Sequence, residues 1–426
     1  MEKQVYGHLE QTVYRDLLPN GLTICVIPKP GFAKKYAFFA TNYGSIDTKF
    51  TLEGKAMVSA DGVAHYLEHK MFDMKDGNAL QLMSATGASP NAFTSYHMTA
   101  YYFECTEAFA DNLRLLLSFV SQPYFTQESV DKERGIIGQE IRMYEDSPAS
   151  RLGENLFRAM YRHHPLRVNI AGTVESIAEI TPKMLYDCHR AFYDPSNMML
   201  CVAGDVDPEE VRKMALEVLP REPGGVSARD YGPEEPLAPA QSRIRQAMEV
   251  AMPMFAIGFK CPPVPEGQER LRQELLGDLA AEVLCGESSP LYRRLYEQGL
   301  IDSGFAVGYE ILKGMPNVSM SGDSEDPEAV LEAILQEAQR IAEQGVDEDL
   351  FRRLQRAALG RRIRGLDSFD GLCYRLAMSQ FDGCDYFAFP DLYASMTSQD
   401  VQRFIQTRIT SEQAVISIID PKGKEQ

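Results

Sequence analysis

The sequence predicts an α+β protein of two related domains, each a mainly antiparallel sheet with helices packed on one face. Three observations lead to this prediction. The chain has 426 residues, which is more than one hydrophobic core of ordinary size accommodates. A segment rich in proline, glycine and charge interrupts the chain at residues 219–240. The segments that end the two halves, residues 180–205 and 396–420, carry the same order of helix and strand signals.

The similarity between the two ends indicates an internal duplication. Each segment has an apolar residue, a threonine suited to cap a helix, an amphipathic stretch, a polar turn and a β-rich run that ends in aspartate. The capping residues are Thr181 and Thr397. We therefore expect a first domain over residues 1–218, an extended linker over 219–240, and a second, related domain over 241–426.

The other elements alternate between strand and helix without a regular βαβ rhythm, which favours α+β over a parallel sheet. The first half predicts a hairpin with a turn at Asn20-Gly21, a strand in KKYAFFATNYGSID, either two strands or one long bent strand over residues 88–106, and helices near 62–72, 78–86, 107–120 and 127–145. The second half predicts a strand-like stretch in RQAMEVAMPMFAIGFKC and helices near 267–285, 326–344 and 347–365.

Composition and charge exclude several classes of function. A net charge of -18 argues against nucleic acid as the main partner, because phosphate binding needs a basic surface. The most apolar stretch, VAMPMFAIGF, is too short to cross a bilayer. The eight cysteines form no C-x-x-C pair and the N-terminal stretch has no signal pattern, so we expect a cytoplasmic protein with reduced thiols.

The clearest chemical motif is HYLEH, in which His65 and His69 lie four residues apart with Glu68 between them. With Asp61 as the expected N-cap, the two imidazoles lie one turn apart on the same face of a helix and are able to chelate one Zn²⁺. The order H-x-x-E-H is the inverted form of the common zinc-peptidase motif. The alternative is a pair of half-buried histidines on an amphipathic helix that binds no metal.

A catalytic zinc site needs a third protein ligand and an open position for water. The predicted helix around residues 127–145 offers two candidates, Glu133 and Glu140, which lie seven residues apart on nearly the same face. Isoleucines flank both, and a carboxylate on a partly buried face needs a partner such as a cation. For each glutamate alone, a solvated surface carboxylate is the alternative.

HYLEH followed about seventy residues later by ERGIIGQE resembles the pitrilysin/insulinase family of zinc peptidases. LPNGLTICVIP, GASPNAFTSYHMTAYYFE and HPLRVNIAGTVESI extend the resemblance over most of the first half, which is most similar to the zinc-bearing chains of small bacterial two-domain members. The resemblance implies a zinc-dependent endopeptidase. It also implies that Glu140 is the third ligand beside His65 and His69, that Glu133 is a supporting carboxylate essential for activity, and that Glu68 is the general base.

The same resemblance implies how a substrate is held. In the family, the strand that corresponds to NAFTS forms a sheet edge facing the metal, and the peptide substrate adds to it as another strand. Asn91, Ala92 and Phe93 are therefore the expected substrate-binding residues, although Asn91 after a proline is also an ordinary turn residue. The family assigns no role to His163 or His164, and we interpret His97, next to this strand, as structural.

The second half departs from the family pattern. Active members supply an arginine and a tyrosine that bind the scissile carbonyl, but here Tyr296 and Asp302 stand at or near those positions. The resemblance therefore favours a heterodimer in which a related, zinc-free subunit brings the missing pair. Two alternatives remain: a non-catalytic peptide-binding or scaffold subunit, and a homodimer that binds zinc without turnover.

Overall fold

The computed structural model describes residues 1–219, 224–225 and 227–423. The first half of the chain, in order, contains β1 (Glu2–Tyr6), β2 (Gln11–Leu17), β3 (Thr23–Pro28), β4 (Lys35–Thr41), β5 (Lys49–Leu52), β6 (Lys55–Val58), α1 (Val63–Met71), β7 (Asp73–Met74), β8 (Gly77–Asn78), α2 (Ala79–Ser84), β9 (Ser89–Thr94), β10 (Thr99–Cys105), α3 (Phe109–Ser121), α4 (Gln127–Asp146), α5 (Pro148–Met160), α6 (Val174–Ala178), α7 (Pro182–Phe192), β11 (Met198–Gly204) and α8 (Pro208–Val218).

The second half has fewer strands and longer helices. In order, it contains β12 (Arg243–Met248), β13 (Met254–Lys260), α9 (Gln268–Cys285), α10 (Pro290–Glu297), β14 (Ala306–Leu312), β15 (Met315–Asp323), α11 (Pro327–Gln344), α12 (Glu348–Gly365), α13 (Phe369–Asp382), α14 (Phe389–Ser395), α15 (Ser398–Arg408) and β16 (Ala414–Pro421). Among the described residues, no helix combines the length and apolar character needed to cross a bilayer.

The two large sheets share one topology. Five strands of the seven-stranded sheet follow the order β3-β11-β4-β10-β9, and the five-stranded sheet follows β12-β16-β13-β15-β14. In each of these orders, the last strand of the half runs parallel to one neighbour, β3 or β12, and antiparallel to the other, β4 or β13. Thr181 caps α7 and Thr397 caps α15 through their side chains. The predicted α+β fold with two homologous domains is therefore confirmed.

Contacts group the chain into two units that do not follow a single boundary. The first unit contains residues 1–141, 169–231 and 363–381, and the second contains the described residues of 142–168, 232–362 and 382–426. A helix from each half thus belongs to the unit of the other half. The predicted division at residues 219–240 stays a prediction, and residues 220–223 and 226 of that linker lie outside the described residues.

In the first unit, both faces of the central strands are buried. Phe39 on β4 contributes to the core shared with α1, α3 and α7, whereas Phe38 turns to the opposite face, where residues 369–381 of α13 lie. In the second unit, α5 packs on β13 and β16. The long helix α4 ends at Asp146, just before Pro148, and Pro148 is the first residue of a further helix, α5, where a missing backbone N–H costs nothing.

The structure corrects one local prediction and decides between the two alternatives of another. Asp61 does not cap α1. The N-cap is Gly62, with φ of 89°, because the chain passes so close to Ala171 that a Cβ atom there would lie 2.3 Å from its carbonyl oxygen. Residues 88–106 form two strands, β9 and β10, which pair as a hairpin.

Candidate metal centre

Helix α1 presents His65 and His69 on one face. Their rings lie edge to face with centroids 4.6 Å apart, as expected for residues one helical turn apart. Tyr66 and Leu67 point into the core and are fully buried, which fixes the rotation of the helix. The Tyr66 hydroxyl donates a hydrogen bond to the carbonyl oxygen of Val130 in α4. This bond ties the histidine helix to the helix that carries the two candidate glutamates.

Glu140 faces both histidines. Its Oε1 lies 3.6 Å from His65 Nε2, and its Oε2 lies 3.6 Å from His69 Nε2. One ligand atom from each of the three residues lies within 4.8 Å of the others, and this is the one such group found among the described residues. The structure thus brings together the three residues that the sequence predicted as ligands.

The geometry of this group fits a zinc ion. Ligand atoms about 2.0–2.1 Å from a tetrahedral ion lie about 3.3 Å apart, close to the 3.6 Å observed between each Nε2 atom and Glu140. Two imidazoles and a carboxylate are also a usual donor set for catalytic zinc. Because the side chains of Glu68, Glu133 and Glu140 surround two histidines, a divalent cation would balance the local negative charge.

Glu133 lies behind His69. Its Oε1 is 3.0 Å from His69 Nδ1, and because a carboxylate only accepts hydrogen bonds, Nδ1 is the donor. This bond leaves Nε2 available as a ligand atom and fixes the ring orientation. Burial opposes protonation of His69, but the hydrogen bond to Glu133 and the charges of Glu68, Glu133 and Glu140 outweigh it and raise its pKa. His65 lacks such support, since within the described chain its buried Nδ1 has no hydrogen-bond partner.

Glu68 lies beside the ligands without being one of them. Its side chain is buried, and Oε2 accepts a hydrogen bond of 2.8 Å from Thr94 Oγ1. Burial raises the pKa of Glu68 above its ordinary value, although His65, Thr94 and His69 act in the opposite direction. A carboxylate with a raised pKa, next to a metal site, is suited to accept and return a proton.

The predicted substrate strand lies at an edge of the first sheet. Within the described chain, β9 pairs with β10 and has no other strand neighbour. Asn91 is exposed, with its side-chain oxygen accepting a hydrogen bond from the Ala92 amide, and Ala92 packs partly against the core. Phe93 contacts the aromatic rings of Phe38, Tyr102 and Tyr374 on the opposite face.

Sequence reasoning did not assign a role to Thr94. It stands in the quoted stretch NAFTS, and the alternation of a strand places it on the same face as Ala92. The contact between this strand and α1 is what turns that face into part of the site. The sequence pattern shows which residues share a face, but it does not show which helix covers that face.

In the second unit, the positions where family members carry arginine and tyrosine are occupied differently. Tyr296 is exposed on α10 and stacks on Tyr292, and Asp302 accepts a hydrogen bond from the Gly304 amide. The nearby Arg294 pairs with Glu337 of α11.

His97, His163 and His164 take part in local packing or hydrogen bonds. His97 is buried in the turn between β9 and β10, with Nε2 next to the sulfur of Met378. The backbone amides of His163 and His164 donate hydrogen bonds to Glu235, and the His164 ring accepts one from the Leu166 amide.

Two family models match the chain. A family model described as Insulinase (Peptidase family M16) matches residues 57–174, and one described as Peptidase M16 inactive domain matches residues 179–358. An uncharacterized zinc protease of Bacillus subtilis (strain 168), YmfH, is 38% identical over 98% of this chain and 99% of that protein.

Solved structures give the same result. A crystal structure described as an M16-like peptidase from Alicyclobacillus acidocaldarius is 34% identical, covers 97% of this chain and 99% of that one, and has a TM-score of 0.92. Pitrilysin is 19% identical and matches 97% of this chain and 45% of its own with a TM-score of 0.77, which is a likeness of fold alone.

Proposed function

Because the chain belongs to the insulinase family of peptidases, peptidase family M16, we propose that it is a zinc-dependent endopeptidase that hydrolyses unstructured peptides. One observation supports this proposal most directly. Two imidazole nitrogens and a carboxylate converge within 4.8 Å of one another, beside a buried glutamate that is not part of the group. The relatives' names point the same way, since YmfH is called a zinc protease.

Each residue of the site has a separate role in the proposed reaction. His65, His69 and Glu140 would hold the ion, and Glu133 keeps the His69 ring in the tautomer that exposes Nε2. A bound zinc ion would lower the pKa of a water molecule towards neutrality and polarise a peptide carbonyl. Glu68 accepts the proton from the attacking water and then gives it to the nitrogen of the leaving amine.

The free edge of β9 suits an extended substrate. A peptide that pairs with Asn91, Ala92 and Phe93 would gain main-chain hydrogen bonds that do not depend on its sequence. Most strands of a folded protein are already paired on both sides or protected at the sheet edge, so unstructured peptides are the expected substrates. Asn91 is exposed and lies on the edge strand, where its amide is able to reach the backbone of such a peptide.

The replacement of the arginine and tyrosine supports a proposal about the partner. We propose that a related, zinc-free subunit completes the site in a heterodimer, because Tyr296 and Asp302 offer no cation for the developing oxyanion and an aspartate would repel it. The same replacement favours one alternative, an inactive peptide-binding subunit. The complete set of predicted zinc ligands favours the enzyme.

Metal content and activity of the purified chain test these proposals. The chain is prepared without chelators, its zinc is measured by elemental analysis, and hydrolysis of unstructured peptides is followed with and without a related chain that lacks H-x-x-E-H but carries the arginine and tyrosine. We expect one zinc ion per chain, little hydrolysis by the chain alone, and a gain of at least about 10²-fold with the partner.

Absence of stoichiometric metal would remove the basis of the proposed function. Full activity of the isolated chain would instead contradict only the partner proposal.

A further inference from the structure

Thr94 links the edge strand to Glu68. It is the last residue of β9, and its Oγ1 lies 2.8 Å from Glu68 Oε2. Among the described residues, Thr94 is the one hydrogen-bond donor found to the buried side chain of Glu68. A buried carboxylate without such a donor would be free to adopt other rotamers.

Thr94 is the donor in this hydrogen bond, because an ionised carboxylate only accepts. Thr99 Oγ1 lies 3.4 Å from Thr94 Oγ1 and 2.9 Å from the carbonyl oxygen of Tyr43. A threonine hydroxyl has one proton to donate, and the shorter contact indicates that Thr99 donates to the Tyr43 carbonyl oxygen. Because Thr94 donates to Oε2 of Glu68, Oε1 is the oxygen left to take up a proton.

The backbone around Thr94 is held rigidly. The turn after β9 is closed by hydrogen bonds between Ser95 and Met98, and it is anchored to Ser45 and Ile46 through two further backbone bonds. Gly44 beneath it has no room for a side chain, because a Cβ atom there would lie 2.3 Å from the backbone of the turn. Thr94 is therefore a fixed donor at the end of a fixed strand.

We propose that Thr94 is a positioning residue, which holds Glu68 Oε2 so that Oε1 is the oxygen that exchanges the proton in peptide hydrolysis. The proposal rests on the proposed function of this site. It also gives β9 two roles, because the strand that offers its edge to the substrate carries at its end the hydroxyl that orients the base. Loss of this hydroxyl should lower the rate of the chemical step and leave binding of peptide and zinc unchanged.

Kinetics of three variants test the proposal in the complete peptidase, with its partner chain where one is needed. Thr94→Val removes the donor and keeps the branched side chain, and Thr94→Ser keeps the donor. Thr41→Val is the matched control, since it removes another hydroxyl of the same sheet, a buried one that donates to the carbonyl oxygen of Phe192. We expect Thr94→Val to lower kcat by about 10-fold or more with KM and zinc content unchanged, and the other two variants to stay near the wild-type kcat.

Two further measurements do not depend on activity. Crystal structures of the metal-free wild-type, Thr94→Val and Thr94→Ser proteins should show the Glu68 carboxylate displaced in the valine variant alone. In a double-mutant cycle measured by urea unfolding, Thr94→Val should lower the free energy of unfolding more in the wild-type background than in the Glu68→Ala background.

An unmoved Glu68 carboxylate, or equal losses of kcat in Thr94→Val and Thr94→Ser, overturns the proposal. If the wild-type protein cleaves no peptide with any partner, the proposed function fails, while the structures and the cycle still decide whether Thr94 holds Glu68.

Discussion

At the scale of single residues, the two glutamates of α4 are distinguished by which histidine nitrogen each one faces. Glu133 meets Nδ1 of His69 at 3.0 Å, whereas Glu140 lies 3.6 Å from Nε2 of both His65 and His69. Glu133 is therefore placed to orient a metal ligand, whereas Glu140 is placed to be a metal ligand itself. The difference gives each residue a separate expected effect on metal binding.

We expect Glu140→Gln to weaken zinc binding more than Glu133→Gln does, because it removes a charged ligand rather than support for one. Loss of a supporting carboxylate typically lowers metal affinity by about 10–100-fold. Competition with a chromophoric chelator measures both affinities, and Glu128→Gln, on the exposed first turn of the same helix, is the control. A Glu140→Gln protein with the affinity of the control would show that the third ligand lies elsewhere, with Glu133 as the first candidate.

Glu68→Gln should abolish peptide hydrolysis and leave zinc bound. The side chain keeps its shape but no longer accepts a proton, and loss of a general base typically costs about 10²–10⁴ in rate. Turnover and zinc content are measured on the same preparation. Loss of zinc together with activity would mean that Glu68 is a ligand and that the roles of base and ligand have been assigned wrongly.

The sequence predicts the parts of this site that lie within one helix, and it does not predict contacts between elements that are distant in the chain. The spacing of His65, Glu68 and His69 is local to one helix, so the motif alone places them together. Glu133 and Glu140 share a face, and their spacing does not tell ligand from support; that distinction came from the resemblance and agrees with the observed distances. Thr94 reaches Glu68 only through the packing of β9 on α1, a tertiary contact without a sequence signal.

At the scale of elements, most predicted helices and strands are present with ends shifted by a few residues, because periodicity and capping residues act locally. The long helix predicted over residues 127–145 is α4, and Thr126 begins it by accepting a hydrogen bond from the Ser129 amide. Several elements were not predicted, and α5 is one of them, because a proline after a helix signals an end as readily as a new start. The missed helix has a consequence for the packing of the second sheet.

Helix α5 approaches β13 so closely that Gly258 matters. A Cβ atom at this position would lie 2.5 Å from Met160 Cε and 3.1 Å from Leu156 Cδ1. We expect Gly258→Val to destabilise the protein by about 1–3 kcal/mol through overpacking, and Gly258→Ala to cost less because the end of the methionine side chain is able to move. Urea unfolding measures both.

Gly308 on β14 is the matched control for this prediction. It is also a strand glycine, but a Cβ atom there would meet nothing within 4 Å. Gly308→Val should therefore not share the loss of stability, and Met160→Ala combined with Gly258→Val should recover part of it. Equal losses at the two glycines would show that the cost comes from the backbone and not from α5.

At the scale of the whole molecule, the sequence predicts the number and class of the domains but not which helix joins which sheet. Both sheets share one five-strand topology, in which the last strand of each half runs parallel to one neighbour, β3 or β12. Residues 142–168 and 363–381 nevertheless belong to the unit of the other half. Hydrophobic periodicity shows that a helix has a buried face, but it contains no information about the sheet that buries it.

The predicted linker also contains a buried charge that its composition does not reveal. Glu235 accepts hydrogen bonds from the backbone amides of Arg162, His163 and His164 and pairs with Lys260, all within the second unit. Burial opposes ionisation of Glu235, but these amides and Lys260 outweigh it and lower its pKa to about 2. Burial lowers the pKa of Lys260 despite Glu235, so the pair stabilises the fold by less than the shift of Glu235 alone suggests.

This carboxylate should make the second unit sensitive to acid. Because the pKa of Glu235 is about 2 in the folded protein and 4.5 ordinarily, its contribution to stability is complete above pH 4.5 and is lost as the pH falls from 4.5 towards 2. We expect Glu235→Gln to be less stable than wild type at neutral pH, by at most about 3 kcal/mol, and the difference to shrink over that interval. Urea unfolding at a series of pH values measures it. Glu234→Gln, which changes the exposed neighbour, is the control and should show the same dependence of unfolding free energy on pH as wild type. If the unfolding free energies of Glu235→Gln and wild type instead run parallel from pH 4.5 to 2, the amides and Lys260 do not hold an ionised carboxylate.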